Sequence, residues 1–140
     1  VHGQTSMHPS FAKAGDVGFM GFGSASVVLL AALPEAMAEE ILWDNRWLLE
    51  QTGIVKDALE SLIAESRTQG FCYSERRFVP DLCAISVCIQ ESGNELPFAA
   101  LTLLAQTEHI DRSQMDGYLA ALKREARAIA RRAAEHRPTT

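Results

Sequence analysis

The spacing of apolar residues predicts several helices, then strands, then a final helix. From Ser24, the run SASVVLLAAL predicts a short helix buried on most sides, because alanine and leucine dominate it. Pro34 lies at a favourable first-turn position for a second helix. A third helix begins near residue 54 and ends at Gly70, and one of its faces carries Val55, Ala58, Leu59, Leu62, Ile63 and Ser66.

After Gly70 the period changes from that of a helix to that of strands. FCYS (71–74) predicts a short strand, and CAISVCI (83–89) and PFAALTLLA (97–105) predict two longer ones. The residues ESGN (91–94) between the two longer segments have the chemistry of a hairpin turn. Helices followed by a hairpin and a long helix predict an α+β fold.

The last element is a long helix that Asp111 can cap, with Gln114 reaching back to it. Its apolar stripe consists of Met115, Tyr118, Leu119, Leu122, Ala126, Ile129 and Ala133. Toward its C-terminal end, basic side chains offset the helix dipole at Lys123, Arg124, Arg127, Arg131 and Arg132. Because Glu125 and Glu135 lie among them, we expect a solvated face and not a DNA contact.

Composition narrows the class of protein. The 140 residues are 47% apolar and 22% charged, which suits one globular domain with a core and argues against wholesale disorder. The net charge of −5 gives no reason to expect nucleic-acid binding by this segment. Cys72, Cys83 and Cys88 form no CxxC pair, and the odd separation of the last two places them on opposite faces of a strand. We expect free thiols and a cytoplasmic protein.

An uncharged stretch of 18 residues between Asp16 and Glu35 is just long enough to suggest a membrane span. Gly18, Gly21 and Gly23 crowd its first half and Pro34 ends it, so a loop followed by a short buried helix fits better. We therefore expect no membrane partner.

The glycines of GFGSAS (21–26) approach a dinucleotide-binding fingerprint but lack its third glycine, so we expect no cofactor. The two physical features that let such a motif bind an anion are nevertheless present. Glycines let a ligand approach the backbone, and free N–H groups at Ser24, Ala25 and Ser26 would attract a carboxylate to the start of the helix. Phe19, Met20 and Phe22 suit either plain core or an apolar pocket wall.

The four histidines, His2, His8, His109 and His136, show no metal-ligand spacing, so no metal site is expected. Ser24 and Ser26 lie in no GxSxG motif, which argues against a serine hydrolase.

The ordered segments resemble the C-terminal effector-binding domain of IclR-type (isocitrate lyase regulator) bacterial transcription factors. They are GSASVVLLAALPEAMAEEIL, a Gly70-Phe71 pair after an amphipathic helix, LCAISVCI, PFAALTLLA and a long terminal helix. The resemblance covers roughly residues 1–133. It implies a GAF/profilin-like antiparallel sheet flanked by helices. It also implies that residues 1–140 are an effector-binding domain lacking its first strands and the N-terminal winged helix-turn-helix, with VHGQT as the remainder of an interior strand.

The resemblance implies a regulator and not an enzyme. Such a domain binds a small organic effector, carboxylate or aromatic, and tunes DNA binding by the separate N-terminal domain, as a homodimer or homotetramer. One alternative is a GAF-type sensor or interaction domain of a signalling protein. Another is a small enzyme that uses Ser24 or a cysteine, although no general base is placed near either.

Carried over position by position, the resemblance implies an effector site formed by Gly18, Met20, Gly23, Ser24, Ala25, Ser74, Leu82, Ala84, Ser86, Thr102 and Leu104. The alternation of Leu82, Ala84 and Ser86 places all three on one sheet face. The chain departs from the family at Gly18-Phe19, where Leu-Pro is usual, at Ser26-Val27, where Gly-Lys is usual, and at Ser74, where an acid is usual. These departures favour a larger or more aromatic ligand.

Overall fold

The computed structural model describes residues 13–138, in which a sheet lies between two layers of helices. The predicted strand at VHGQT lies outside the described residues. Two 3₁₀ turns, Thr107–His109 and Arg112–Gln114, precede the last helix. The main elements are α1 Ser24–Ala32, α2 Glu35–Asp44, α3 Arg46–Gln51, α4 Lys56–Gln69, β1 Cys72–Glu75, β2 Leu82–Ile89, β3 Ala99–Gln106 and α5 Met115–Glu135.

The described strands form an antiparallel sheet in the order β1-β2-β3. Ser86 in the central strand pairs with Cys72 on one side and with Thr102 on the other. Helices α1 and α4 cover the face that carries Cys72 and Cys88, and α5 covers the face that carries Ile85. The prediction of an antiparallel sheet flanked by helices, with a long C-terminal helix, is confirmed.

Helix α1 forms the centre of the first core. Val27 and Leu30 are completely buried, and they pack with Leu62 and Ile63 of α4. Glycine ends α4 as predicted, because Gly70 takes the left-handed conformation (φ 81°) that its missing Cβ permits. The uncharged segment is therefore a loop and a buried helix. Among residues 13–138, no helix combines the length and the apolarity that crossing a bilayer requires.

The second core joins α5 to the sheet. Leu122, Ala126 and Ala130 are the buried residues of α5, one every four positions, and Ile85 and Val87 pack against them. The prediction that Ile129 belongs to the stripe of α5 that packs on the core is wrong. Its side chain is 36% exposed and lies beside the buried row. The basic residues of α5 are exposed, as predicted.

Three details of the predicted helices are corrected by the structure. Val55 precedes α4 and is exposed, and Ala58 is exposed as well, so the buried face of α4 begins at Leu59. Asp111 caps the 3₁₀ turn before α5, where its side chain accepts a hydrogen bond from the Ser113 N–H. The bond from Gln114 back to Asp111 is made by the backbone N–H, at 2.9 Å.

The cysteines are free thiols on opposite sheet faces, as predicted. The Cys88 thiol donates to the Val28 carbonyl of α1 at 3.3 Å, whereas Cys83 lies on the α5 side of the same strand. Burial raises the pKa of the Cys72 thiol to about 11, and it raises the pKa of Cys88 to about 11. Both side chains are therefore protonated and weakly nucleophilic at neutral pH.

An ion pair fastens β1 to the segment before α5. Arg112 contacts both carboxylate oxygens of Glu75, and the Tyr73 hydroxyl donates to the same carboxylate at 3.1 Å. Hydrogen bonding to Arg112 is the main reason that the pKa of Glu75 lies below its ordinary value.

Glu75→Gln is expected to flatten the acid side of the pH–stability profile. The depressed pKa means that the carboxylate stabilises the fold fully above its unfolded pKa of about 4.3, and that this stabilisation is lost as pH falls through the lower folded value. Between about pH 5 and pH 3, the melting temperature of the unaltered protein should therefore fall more steeply than that of Glu75→Gln or Arg112→Gln. If the melting temperatures of all three proteins fell equally steeply with pH, the Glu75–Arg112 pair would contribute no stability.

Candidate ligand site at the start of helix α1

Three hydroxyl groups from different elements form a hydrogen-bonded row between α1 and the sheet. The Ser24 and Ser86 hydroxyl oxygens are 2.7 Å apart, and the Ser86 and Thr102 hydroxyl oxygens are also 2.7 Å apart. Ser24 and Ser86 are buried, with Ser86 at 0% exposure, whereas Thr102 is exposed. The row therefore leads from the helix start to the surface of β3.

The row has donor capacity to spare. Three hydroxyls carry three O–H donors, and the two mutual hydrogen bonds use two of them. Because hydroxyls rotate, the remaining donor can face outward at either the Ser24 or the Thr102 end. An acceptor placed beside either end would meet a pre-positioned donor.

The start of α1 adds backbone donors beside Ser24. Among residues 13–138, the N–H groups of Ser24, Ala25 and Ser26 donate no hydrogen bond. Gly23 precedes them with a φ of 99°, and an added Cβ there would meet no described heavy atom within 4 Å. None of the residues that the structure describes fills the space beside Gly23 at this helix N-terminus, which favours an anionic group there.

The glycine loop is fixed by contacts that sequence analysis did not identify. The Gly21 N–H donates to the Ser26 hydroxyl, and the Asn45 side-chain amide donates to the Met20 carbonyl at 3.1 Å. Met20 is half-buried against the first core, and its sulfur lies 3.7 Å from the Ser26 hydroxyl oxygen. Met20 and the Ser26 hydroxyl thus hold the loop in place.

Aromatic rings line one side of the loop. Phe22 contacts Phe78 edge-to-face, with ring centroids 5.3 Å apart, and Phe19 lies 6.5 Å from Phe22. Phe78 belongs to the turn between β1 and β2, which has no periodic apolar pattern, so no sequence signal placed it here.

The remaining residues of the implied site lie on the same sheet face, in the first turn of α1 or in the loop. Ser74, Ala84 and Leu104 lie opposite one another on the three strands, in the row next to Ser86 and Thr102. Leu82 lies one row further, opposite Gln106, and Ala25 is half-buried in the first turn of α1. Gly18 is exposed in the loop, and an added Cβ there would touch no described heavy atom within 4 Å.

The part of the chain that the structure describes contains no candidate metal-binding site. Residues 13–138 contain no group of three or more His, Cys, Asp or Glu side chains arranged to hold an ion. His2 and His8 lie outside those residues.

One known protein family matches most of this chain. The model of the family described as bacterial transcriptional regulator IclR, C-terminal, matches residues 12–131. The chain belongs to the IclR C-terminal family. The resemblance noted in the sequence is thereby confirmed, and the hydroxyl row and open helix start lie within the matched residues. No match was found among curated proteins.

Solved IclR-type structures share the fold at low sequence identity. The Thermotoga maritima IclR is 19% identical with a TM-score of 0.71, and the match covers 94% of this chain and 53% of that one. The C-terminal domain of a proposed transcriptional regulator from Vibrio cholerae is 22% identical with a TM-score of 0.69, covering 91% and 74%.

A third similar structure contains a ligand. It is a double mutant of the inducer-binding domain of the Acinetobacter transcription factor PobR in complex with 3-hydroxybenzoic acid. Its identity to this chain is 20% and its TM-score 0.63, with 79% of this chain and 64% of that one covered. This chain therefore spans only part of each of these structures: 64% of the PobR domain, 74% of the Vibrio cholerae domain and 53% of the Thermotoga maritima IclR.

Proposed function

We propose that this chain is the effector-sensing and oligomerisation domain of a bacterial transcriptional regulator. It binds a small organic acid, aliphatic or aromatic, beside the start of α1. Binding tunes the affinity of a separate N-terminal winged helix-turn-helix domain for DNA. The observation that carries the proposal is the Ser24–Ser86–Thr102 hydroxyl row next to open helix amides, in a chain of the IclR C-terminal family.

Each part of the site has a partner in such a ligand. The carboxylate would accept from the Ala25 and Ser26 amides and from the spare donor of the hydroxyl row. The aromatic or aliphatic part would lie along Phe22 and beside Leu104, which is half-buried on β3. The 3-hydroxybenzoic acid of the PobR complex has this chemistry, which makes it a suitable first probe.

Regulation would follow from a difference in affinity between two arrangements of the oligomer. A ligand shifts such an equilibrium only as far as it binds one arrangement better than the other. Because the hydroxyl row joins α1 to β2 and β3, a ligand that bonds to either end of the row would add a contact between the helix and the sheet.

A thermal-shift screen with Ala25→Trp tests the proposal. At a concentration one hundred times its Kd, a ligand of the folded state stabilises by about 2.7 kcal/mol, which raises the melting temperature by several degrees. We expect 3-hydroxybenzoate or a related small acid to do this, and we expect the indole at position 25 to abolish the shift by occupying the space beside the helix amides.

Ala120→Trp is the matched control, because Ala120 is exposed on α5, on the other side of the sheet. It should keep the full ligand-induced shift. Stabilisation that survives Ala25→Trp would contradict the placement of the site.

A further inference from the structure

A groove in the structure has a lining that includes none of the three hydroxyl-row residues. It is a groove of about 240 Å³ between the α3–α4 connection, α4 and the β1–β2 turn, and we call it the Arg77 groove. Its walls are mostly apolar and include Ile54, Ala58, Leu59, Leu62 and Phe78, whereas Arg77 is its charged residue. An apolar groove with one cationic end favours an amphipathic anion.

The backbone of the β1–β2 turn holds Arg77 and Phe78 over α4. Arg76 and Asp81 both adopt positive φ, 58° and 65°, which is uncommon for residues other than glycine. Hydrogen bonds fix the two ends of the turn. The Arg76 N–H donates to the Leu82 carbonyl at 2.8 Å, and the Thr107 N–H donates to the Asp81 carbonyl at 2.8 Å. Strained backbone of this kind persists only where its surroundings enforce it.

The donors of Arg77 are available to a ligand. Within residues 13–138, its guanidinium has no carboxylate within ion-pair distance and no hydrogen-bond acceptor. The other polar side chain of the groove is already used, because the Thr52 hydroxyl donates to the Leu49 carbonyl at 2.6 Å and accepts from the Ile54 N–H at 3.3 Å. Arginine matches the two oxygens of a carboxylate with parallel N–H donors.

The neighbouring surface determines where the rest of the ligand lies. A cavity of about 420 Å³ shares Leu62 and Arg77 with the groove, but its lining also includes Glu65 and Glu75. An apolar tail next to those carboxylates would lose contact with apolar surface. The tail therefore lies on the other side of Arg77, along Ile54, Ala58 and Phe78.

We propose that the Arg77 groove is a second ligand site, for a small monocarboxylate with a flexible apolar tail. The carboxylate pairs with Arg77 and the tail packs on Ile54, Ala58 and Phe78. At about 240 Å³ the groove is smaller than the roughly 300–1,000 Å³ of sites for drug-sized ligands, so the ligand is fragment-sized. This proposal does not depend on the site at Ser24.

Calorimetric titration with hexanoate tests the groove, with hexan-1-ol as the uncharged analogue. Hexanoate should bind the unaltered chain more tightly than hexan-1-ol. Its affinity should fall about tenfold or more in Arg77→Gln, because a charge-assisted hydrogen bond is lost. Ala58→Trp should abolish binding by filling the groove, and the fold should tolerate this change since Ala58 is exposed.

Arg127→Gln removes the same charge from the exposed face of α5 and should leave hexanoate affinity unchanged. Equal affinities for hexanoate and hexan-1-ol, no loss of affinity in Arg77→Gln, or no binding of millimolar hexanoate would each overturn the proposal. Because hexanoate is itself a small aliphatic acid, each titration is repeated in the Ala25→Trp background, in which the Ser24 site is blocked and only the groove is tested. The Ser24 site is tested separately with 3-hydroxybenzoate.

Discussion

Leu30→Ala is expected to lower the free energy of unfolding by about 3 kcal/mol. Leu30 is completely buried in the last turn of α1, in the core that joins α1 to α4 and to Cys72 of β1. Truncation removes its apolar contacts and leaves a cavity that surrounding helices can close only in part. Urea unfolding followed by circular dichroism measures the change.

Leu48→Ala is the matched control for that measurement. Leu48 lies on α3 and is 42% exposed, so its truncation creates no closed cavity and should cost well below about 1 kcal/mol. Equal losses in the two variants would contradict the placement of the first core around α1.

Gly21→Ala is expected to cost about 2 kcal/mol and to disturb the ligand site as well. Gly21 has a φ of 123°, a conformation that is costly for any residue with a Cβ. An added Cβ would also lie only 2.7 Å from a terminal methyl carbon of Leu49, which must then move. Since the Gly21 N–H bonds to Ser26, displacing the loop should weaken effector binding together with stability.

Gly18→Ala serves as the control for Gly21→Ala. Gly18 is exposed, does not have positive φ, and has no described heavy atom within 4 Å of an added Cβ. Its replacement should change the free energy of unfolding by less than about 0.5 kcal/mol. A Gly21→Ala variant as stable as Gly18→Ala would show that the loop is not held as described.

Elements with strong local signals could be predicted from the sequence. The alanine- and leucine-rich run at α1, the Gly70 stop and the alternation along β2 act over a few residues, and the structure confirms all three. Helix α3 was not predicted, because its six residues, RWLLEQ, are too few to show a period. Ile129 is misplaced by the sequence pattern, because a stripe that runs over 19 positions, from residue 115 to residue 133, drifts around a helix with 3.6 residues per turn.

The candidate site could be predicted only in part, for a different reason. Alternation puts Ser86 on a definite face of β2, but its partner Ser24 lies 62 positions away in the chain. The pairing of Ser86 with Thr102 depends on the register of the β2–β3 hairpin. That register is set by the turn and cannot be read from the pattern of apolar residues. Phe78 and Arg77 occupy an irregular turn, so their positions over α4 follow from tertiary structure alone.

Backbone amide NMR tests the central claim, that a small organic acid binds at the start of α1, most directly. When 3-hydroxybenzoate is added to the ¹⁵N-labelled chain, the largest shift changes should appear at the amides of Ser24, Ala25 and Ser26, with smaller ones at Ser86 and Thr102. Those changes should be absent in Ala25→Trp and retained in Ala120→Trp. Saturable binding that leaves the Ser24, Ala25 and Ser26 amides unchanged would contradict the account.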